Sequence, residues 1–175
     1  MNGSVRTLVI RTITAVILSL MLNSGASAAG PSIDVELDTS KAVPRSVEDQ
    51  TKQRITADYR FAWMNLAAAV DENNTAPVQS LFVGAAKKWI VDTVTSQNSS
   101  GLRTRYLNQS HKLEAVFYAP EGDVMELHDT ASYQLQVFDG SKVIYARPVV
   151  VHYVVLMTPG ADRWVVRQLQ SVPKF

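Results

Sequence analysis

Near the middle of this 175-residue chain the spacing of apolar residues switches. Before residue 100 they recur every three or four positions, the period of a helix. After about residue 112 they recur every second position, the period of a strand. Such a chain must fold helices first and sheet second. In the first half, Ile55, Tyr59, Ala62, Trp63, Leu66 and Val70 form one apolar stripe, with Glu48, Asp49, Lys52, Arg54 and Arg60 on other faces. Ser46 is placed to cap this helix, with Asp49 three residues on in the position of a capping box. The polar run Asp71 to Asn74 ends it. Thr75 can cap a short second helix with Pro77 in its first turn and Val78, Leu81 and Phe82 on its apolar side. After Gly84, the residues Ala86, Trp89, Ile90 and Val94 predict a third helix, closing between Asn98 and Gly101.

The second half alternates. Leu113, Ala115 and Phe117 interleave with Glu114, Val116 and Tyr118, and Pro120 to Asp123 make a turn. Leu127, Asp129, Ala131, Tyr133, Leu135 and Val137 then interleave with His128, Thr130, Ser132, Gln134 and Gln136. Asp139-Gly140 is a strong hairpin signal. Val143 to Met157 reads as a long strand apolar on both faces, with Pro148 implying a bulge or an edge. After a turn at Pro159 to Asp162, Trp164 to Val172 is a last strand. The expected fold is α+β, a long N-terminal helix and two shorter helices packed on a curved antiparallel sheet of about four strands.

The ends of the chain set its organisation. Arg6 and Arg11, the uncharged run Ile13 to Leu22 and the Ala26-Ser27-Ala28 site read as a cleavable signal peptide over residues 1–28. The run is too short for a spanning helix, although an uncleaved anchor is the alternative. A secreted or periplasmic location follows, with no stable membrane insertion after cleavage. Gly30 to Pro44 shows prolines and alternating charge without helical period, so residues 29–45 read as a flexible lead-in and 46–175 as one domain. Cleavage would leave 15 basic against 16 acidic residues, a balance that gives no footing for nucleic acid. The chain has no cysteine, which removes disulfides, thiolate metal sites and cysteine nucleophiles.

Few residues carry a chemical signal. Asp129 shares its alternation face with five apolar residues, so a carboxyl is expected on the buried side, placed to act as an acid or base. Tyr59, Trp63 and Tyr133 could line a pocket for a small apolar ligand, or serve as plain core. His128 shares a face with Thr130, Ser132 and Gln134, and His152 shares one with Val150 and Val154. Neither these nor His111 shows metal-ligand spacing, so no metal and no cofactor is expected. No serine-nucleophile, phosphate-loop or dinucleotide motif is present.

The order of elements, the Trp63 stripe and the final Asp162-Arg163-Trp164-Val165-Val166-Arg167 strand resemble the nuclear-transport-factor-two-like superfamily, over roughly Val47 to Val172. That resemblance implies a cone with a pocket between helix and sheet. Its members include isomerases, cyclases and dehydratases alongside association domains and periplasmic channel subunits, so it implies no single reaction. The expected function is an exported, non-catalytic binding or assembly module, a homodimer through the sheet or bound to a protein partner. The alternative is a small-molecule isomerase, cyclase or dehydratase working through Asp129.

Overall fold

The computed structural model describes residues 32–175, so the expected signal peptide lies outside the described residues. Two long helices lie on one face of a six-stranded mixed sheet. The strands are β1 (Ile33–Asp38), β2 (Val43–Pro44), β3 (Leu102–Tyr118), β4 (Met125–Asp139), β5 (Lys142–Pro159) and β6 (Trp164–Val172). The helices are α1 (Asp49–Glu72) and α2 (Gly84–Ser99). The sheet order is β1-β3-β4-β5-β6, with β2 beside the far end of β3. From β3 to β6 each neighbour is antiparallel, as short hairpins require, whereas β1 and β2 run parallel to β3.

The apolar stripe of α1 does what its spacing demands. Ile55, Tyr59, Ala62, Trp63, Leu66 and Val70 are all buried against the inner face of the sheet. That face is supplied by Leu113 and Ala115 of β3, Leu127 and Ala131 of β4, Val155 and Met157 of β5 and Val166 of β6. Asp58 ties α1 to the last strand, accepting a hydrogen bond from the Trp164 backbone N–H at 2.9 Å. Asn73 ends α1 in the left-handed conformation, φ 52°.

Four expectations change. The lead-in contains a strand. Ile33, Val35 and Leu37 alternate with Asp34, Glu36 and Asp38, and the three apolar residues enter the core while the acids stay outside. With β2, this raises the sheet from about four strands to six. The second helix is only a 3₁₀ turn, Ala76–Val78, so the described residues hold two α-helices rather than three. The residue capping α1 is Glu48, not Ser46, and its carboxylate binds the Arg45 guanidinium and the Thr51 hydroxyl instead of the helix amides. Finally, β3 begins at Leu102, eleven residues before the alternation starts, because its first half is broken by an irregularity between Leu107 and Ser110.

Burying a Val, Leu or Ile side chain stabilises by roughly 1.5–3 kcal/mol. Removing β1, with its three buried side chains, should therefore cost most of a marginal domain's stability. A chain starting at residue 40 should unfold at much lower denaturant than one starting at residue 32. Equal midpoints would return residues 32–39 to the status of a tether.

Candidate functional site

Asp129 lies on the inner face of β4, between β3 and β5, opposite Leu113 and Tyr153 in the register. Directly above it, α1 presents Tyr59, whose hydroxyl donates to Asp129 Oδ2 at 2.7 Å. From β3, His111 Nδ1 sits 2.8 Å from the same oxygen. Where the carboxyl is ionised it accepts from both groups, and the imidazole hydrogen facing it is then on Nδ1. Tyr59, His111 and Asp129 are each 0% exposed. The three groups come from three separate elements.

Trp63, one turn along α1, roofs the cluster. Its ring centre lies 4.3 Å from that of His111, 5.7 Å from Tyr153 and 6.5 Å from Tyr133. The Tyr133 and Tyr153 hydroxyls approach to 3.4 Å, and Tyr106 packs on Tyr133 with ring centres 4.8 Å apart. The residues singled out from the sequence, Asp129, Tyr59, Trp63 and Tyr133, are thus brought together. Three others join them: His111, Tyr106 and Tyr153. His111 extends the Leu113–Ala115 alternation back by one step, just inside the irregularity between Leu107 and Ser110, and that parity was its one sequence signal. Tyr153 was legible, since it shares a face with Val149, Val151 and Val155.

Burial sets the electrostatics. It pushes the Tyr59 phenol well above its ordinary range, and the Asp129 charge pushes further in the same direction. Burial is also the leading cause for the upward shifts of Tyr106, Tyr133 and Tyr153. The phenols are therefore held as hydrogen-bond donors. Asp129 Oδ1, His111 Nε2, Trp63 Nε1 and both polar atoms of the Gln109 side chain are buried without a protein partner.

A carboxyl, an imidazole and a phenol in contact could in principle move a proton, but a substrate must reach them. A groove of about 590 Å³ opens between α2 and the β5–β6 pair, lined by Ala85, Trp89, Val151, Tyr153 and Leu169 among others. Only Tyr153 of the cluster lines it; Tyr59, Trp63, Tyr133 and Asp129 do not. Among the described residues, no three His, Cys, Asp or Glu side chains gather in a way that could hold a metal ion. The other two histidines sit on the outer face of the sheet. There the Phe175 ring stacks on His128, 4.2 Å between centres, and meets His152 edge-on at 5.1 Å. That answers which side of β5 points outward: Val150, His152 and Val154 do, with Val149, Val151, Tyr153 and Val155 facing the helices.

No family model matches the chain, and no curated protein does. The fold has a solved counterpart. The intermembrane space region of the chloroplast protein ARC6 superposes with a TM-score of 0.52, over 74% of this chain and 98% of that one. At 12% identity, ARC6 shares the fold alone.

Two outcomes follow. Leaving a buried donor without its acceptor costs about 1–3 kcal/mol, and Asp129→Ala would strand both the Tyr59 hydroxyl and the His111 ring nitrogen. Denaturant unfolding should register that loss; a neutral effect would mean that the carboxyl is not a structural acceptor. Separately, a phenol raised in the folded state favours its protonated form. Its contribution is intact below about pH 10, where unfolded tyrosine ionises. It is lost as pH rises above that through the elevated folded values. Stability should fall on the alkaline side, and phenolate absorbance from Tyr59, Tyr106, Tyr133 and Tyr153 should appear only with unfolding. Four phenolates forming near pH 10 in an intact fold would contradict the burial.

Proposed function

We propose that this chain is an exported, non-catalytic protein-binding module with the cone-shaped fold of the nuclear-transport-factor-two-like superfamily. The observation that carries this reading is the closure of the Asp129 cluster. Its carboxyl, imidazole and phenol have no exposed surface, and the carboxyl's two contacts link α1, β3 and β4. Groups spent on holding elements together, away from solvent, suit a structural task better than turnover. The convergence of Asp129, His111 and Tyr59 is what favours the isomerase, cyclase or dehydratase reading. That reading needs α1 to lift from the sheet before a substrate can enter.

Export rests on the N-terminal pattern of Arg6, Arg11, Ile13 to Leu22 and Ala26-Ser27-Ala28. No helix among the described residues is long and apolar enough to cross a membrane. ARC6's matching part belongs to an intermembrane space, a setting compatible with export, although at such low identity the leader carries the argument. As for the partner, the outer sheet face is dominated by polar side chains, with Phe175 laid across its two histidines. This supports a different protein over a second protomer stacked face to face, and the open groove leaves room for a small apolar ligand.

Histidine-directed acylation followed by peptide mass mapping tests the closure. His128 should be labelled in the folded protein and His111 only after unfolding. Rapid labelling of His111 in the native state would reopen the catalytic reading. The intact mass of exported protein should correspond to a chain starting at Ala29 or one residue away; a mass retaining residues 1–28 would indicate an anchor.

A further inference from the structure

Strand β5 is 18 residues long, but β6 covers only part of it. The β5–β6 ladder runs from His152 to Pro159. From Lys142 to Val151, β5 has β4 on one side and no strand on the other among the described residues. This open stretch is also apolar and exposed: Val150 is 64% accessible, Ile144 50% and Val143 43%. Where β6 stops, the groove under α2 begins, with Trp89, Val151 and Leu169 in its walls. A strand added in line with β6 would continue the sheet and lay side chains along that groove.

Building on the binding-module reading, we propose that the free edge of β5 receives an extended segment of a partner protein in which apolar and acidic residues alternate. Charge decides the occupant. Lys142 and Arg147 lie within the ten open residues, and no acid does. A second copy paired about a two-fold axis through this stretch would set Arg147 near Arg147 with nothing to offset the repulsion. It would also place both Pro148 residues, each without an amide hydrogen, in one ladder. An acidic strand meets neither obstacle. The pattern is one the chain itself uses at the opposite edge, where Ile33, Val35 and Leu37 alternate with three acids in β1.

Pro148 also tells which amides are free. A proline in a sheet turns its missing N–H away from the neighbouring strand. The β4–β5 register is regular from Gln136↔Ala146 through Gln134↔Pro148 to Ser132↔Val150. Ala146 and Val150 therefore turn their amides to the same open side as Pro148. Replacing Ala146 by proline removes a donor from the free edge and leaves the β4 ladder intact.

The probe is a synthetic, terminally blocked peptide, Thr-Val-Glu-Val-Glu-Ile-Thr, titrated into the mature chain while amide resonances and Trp89 are followed. The proposal expects shifts at Ala146 and Val150, and affinity about tenfold weaker in Ala146→Pro and in the Lys142→Glu, Arg147→Glu double variant. The same peptide with lysine in place of glutamate should not bind. Matching far-ultraviolet spectra and melting points of the variants keep misfolding apart from lost binding. Equal binding of the glutamate and lysine peptides, binding unaffected by Ala146→Pro, or no binding would each overturn the proposal. So would a dimer in sedimentation that Ala146→Pro dissolves, since the edge would then belong to a second copy. None of these failures touches the closure of the Asp129 cluster, which histidine labelling reads separately.

Discussion

One carboxylate oxygen, Oδ2 of Asp129, takes hydrogen bonds from Tyr59 on α1 and His111 on β3 while its own backbone is part of β4. Apolar packing alone would allow α1 to slide along the sheet or rotate about its axis, because contacts between aliphatic side chains have little directional preference. A buried polar group does not tolerate such freedom. Each lost hydrogen bond in this environment leaves a donor or acceptor with no water to replace it. The cluster therefore fixes the depth and rotation of α1. The aromatic rings of Trp63, Tyr106, Tyr133 and Tyr153 then fill the space that this placement defines.

That placement leaves the molecule's available chemistry at its margins. With the space between α1 and the sheet occupied by its own side chains, the accessible features among the described residues include the open edge of β5, the groove under α2 and a polar outer sheet face. Arg103 and Arg105 do not add to the basic character of the edge, because both pair with Asp71 at the end of α1 and lie over the Phe138 ring. Lys142 and Arg147 have no acidic partner among the described residues' ion pairs, and Arg147 lies over the Tyr145 ring on its own strand.

Regular elements were legible and irregular ones were not. The α1 stripe, and the β4 alternation from Met125 to Tyr133, run without interruption, so period alone placed Trp63 and Asp129 on inner faces. β3 defeats the same reasoning in its first half, because the irregularity between Leu107 and Ser110 puts Tyr106 and Gln109, three residues apart, both on the inner side. β1 is six residues long and its partner is far along the chain and parallel, so the alternation of Ile33, Val35 and Leu37 with three acids was a strand signal without a neighbouring hairpin to support it. The partners of Asp129 stand 70 and 18 residues away in sequence. Nothing local marks such contacts. They follow from which strand crosses under which helix, and that is decided by the whole sheet.

A double-mutant cycle between Tyr59→Phe and Asp129→Leu, read by denaturant unfolding, measures directly whether this cluster locks helix to sheet. The expected coupling free energy between the two sites is about 0.5–3 kcal/mol, the range for residues sharing one buried network. Additivity to within about 0.5 kcal/mol would contradict it.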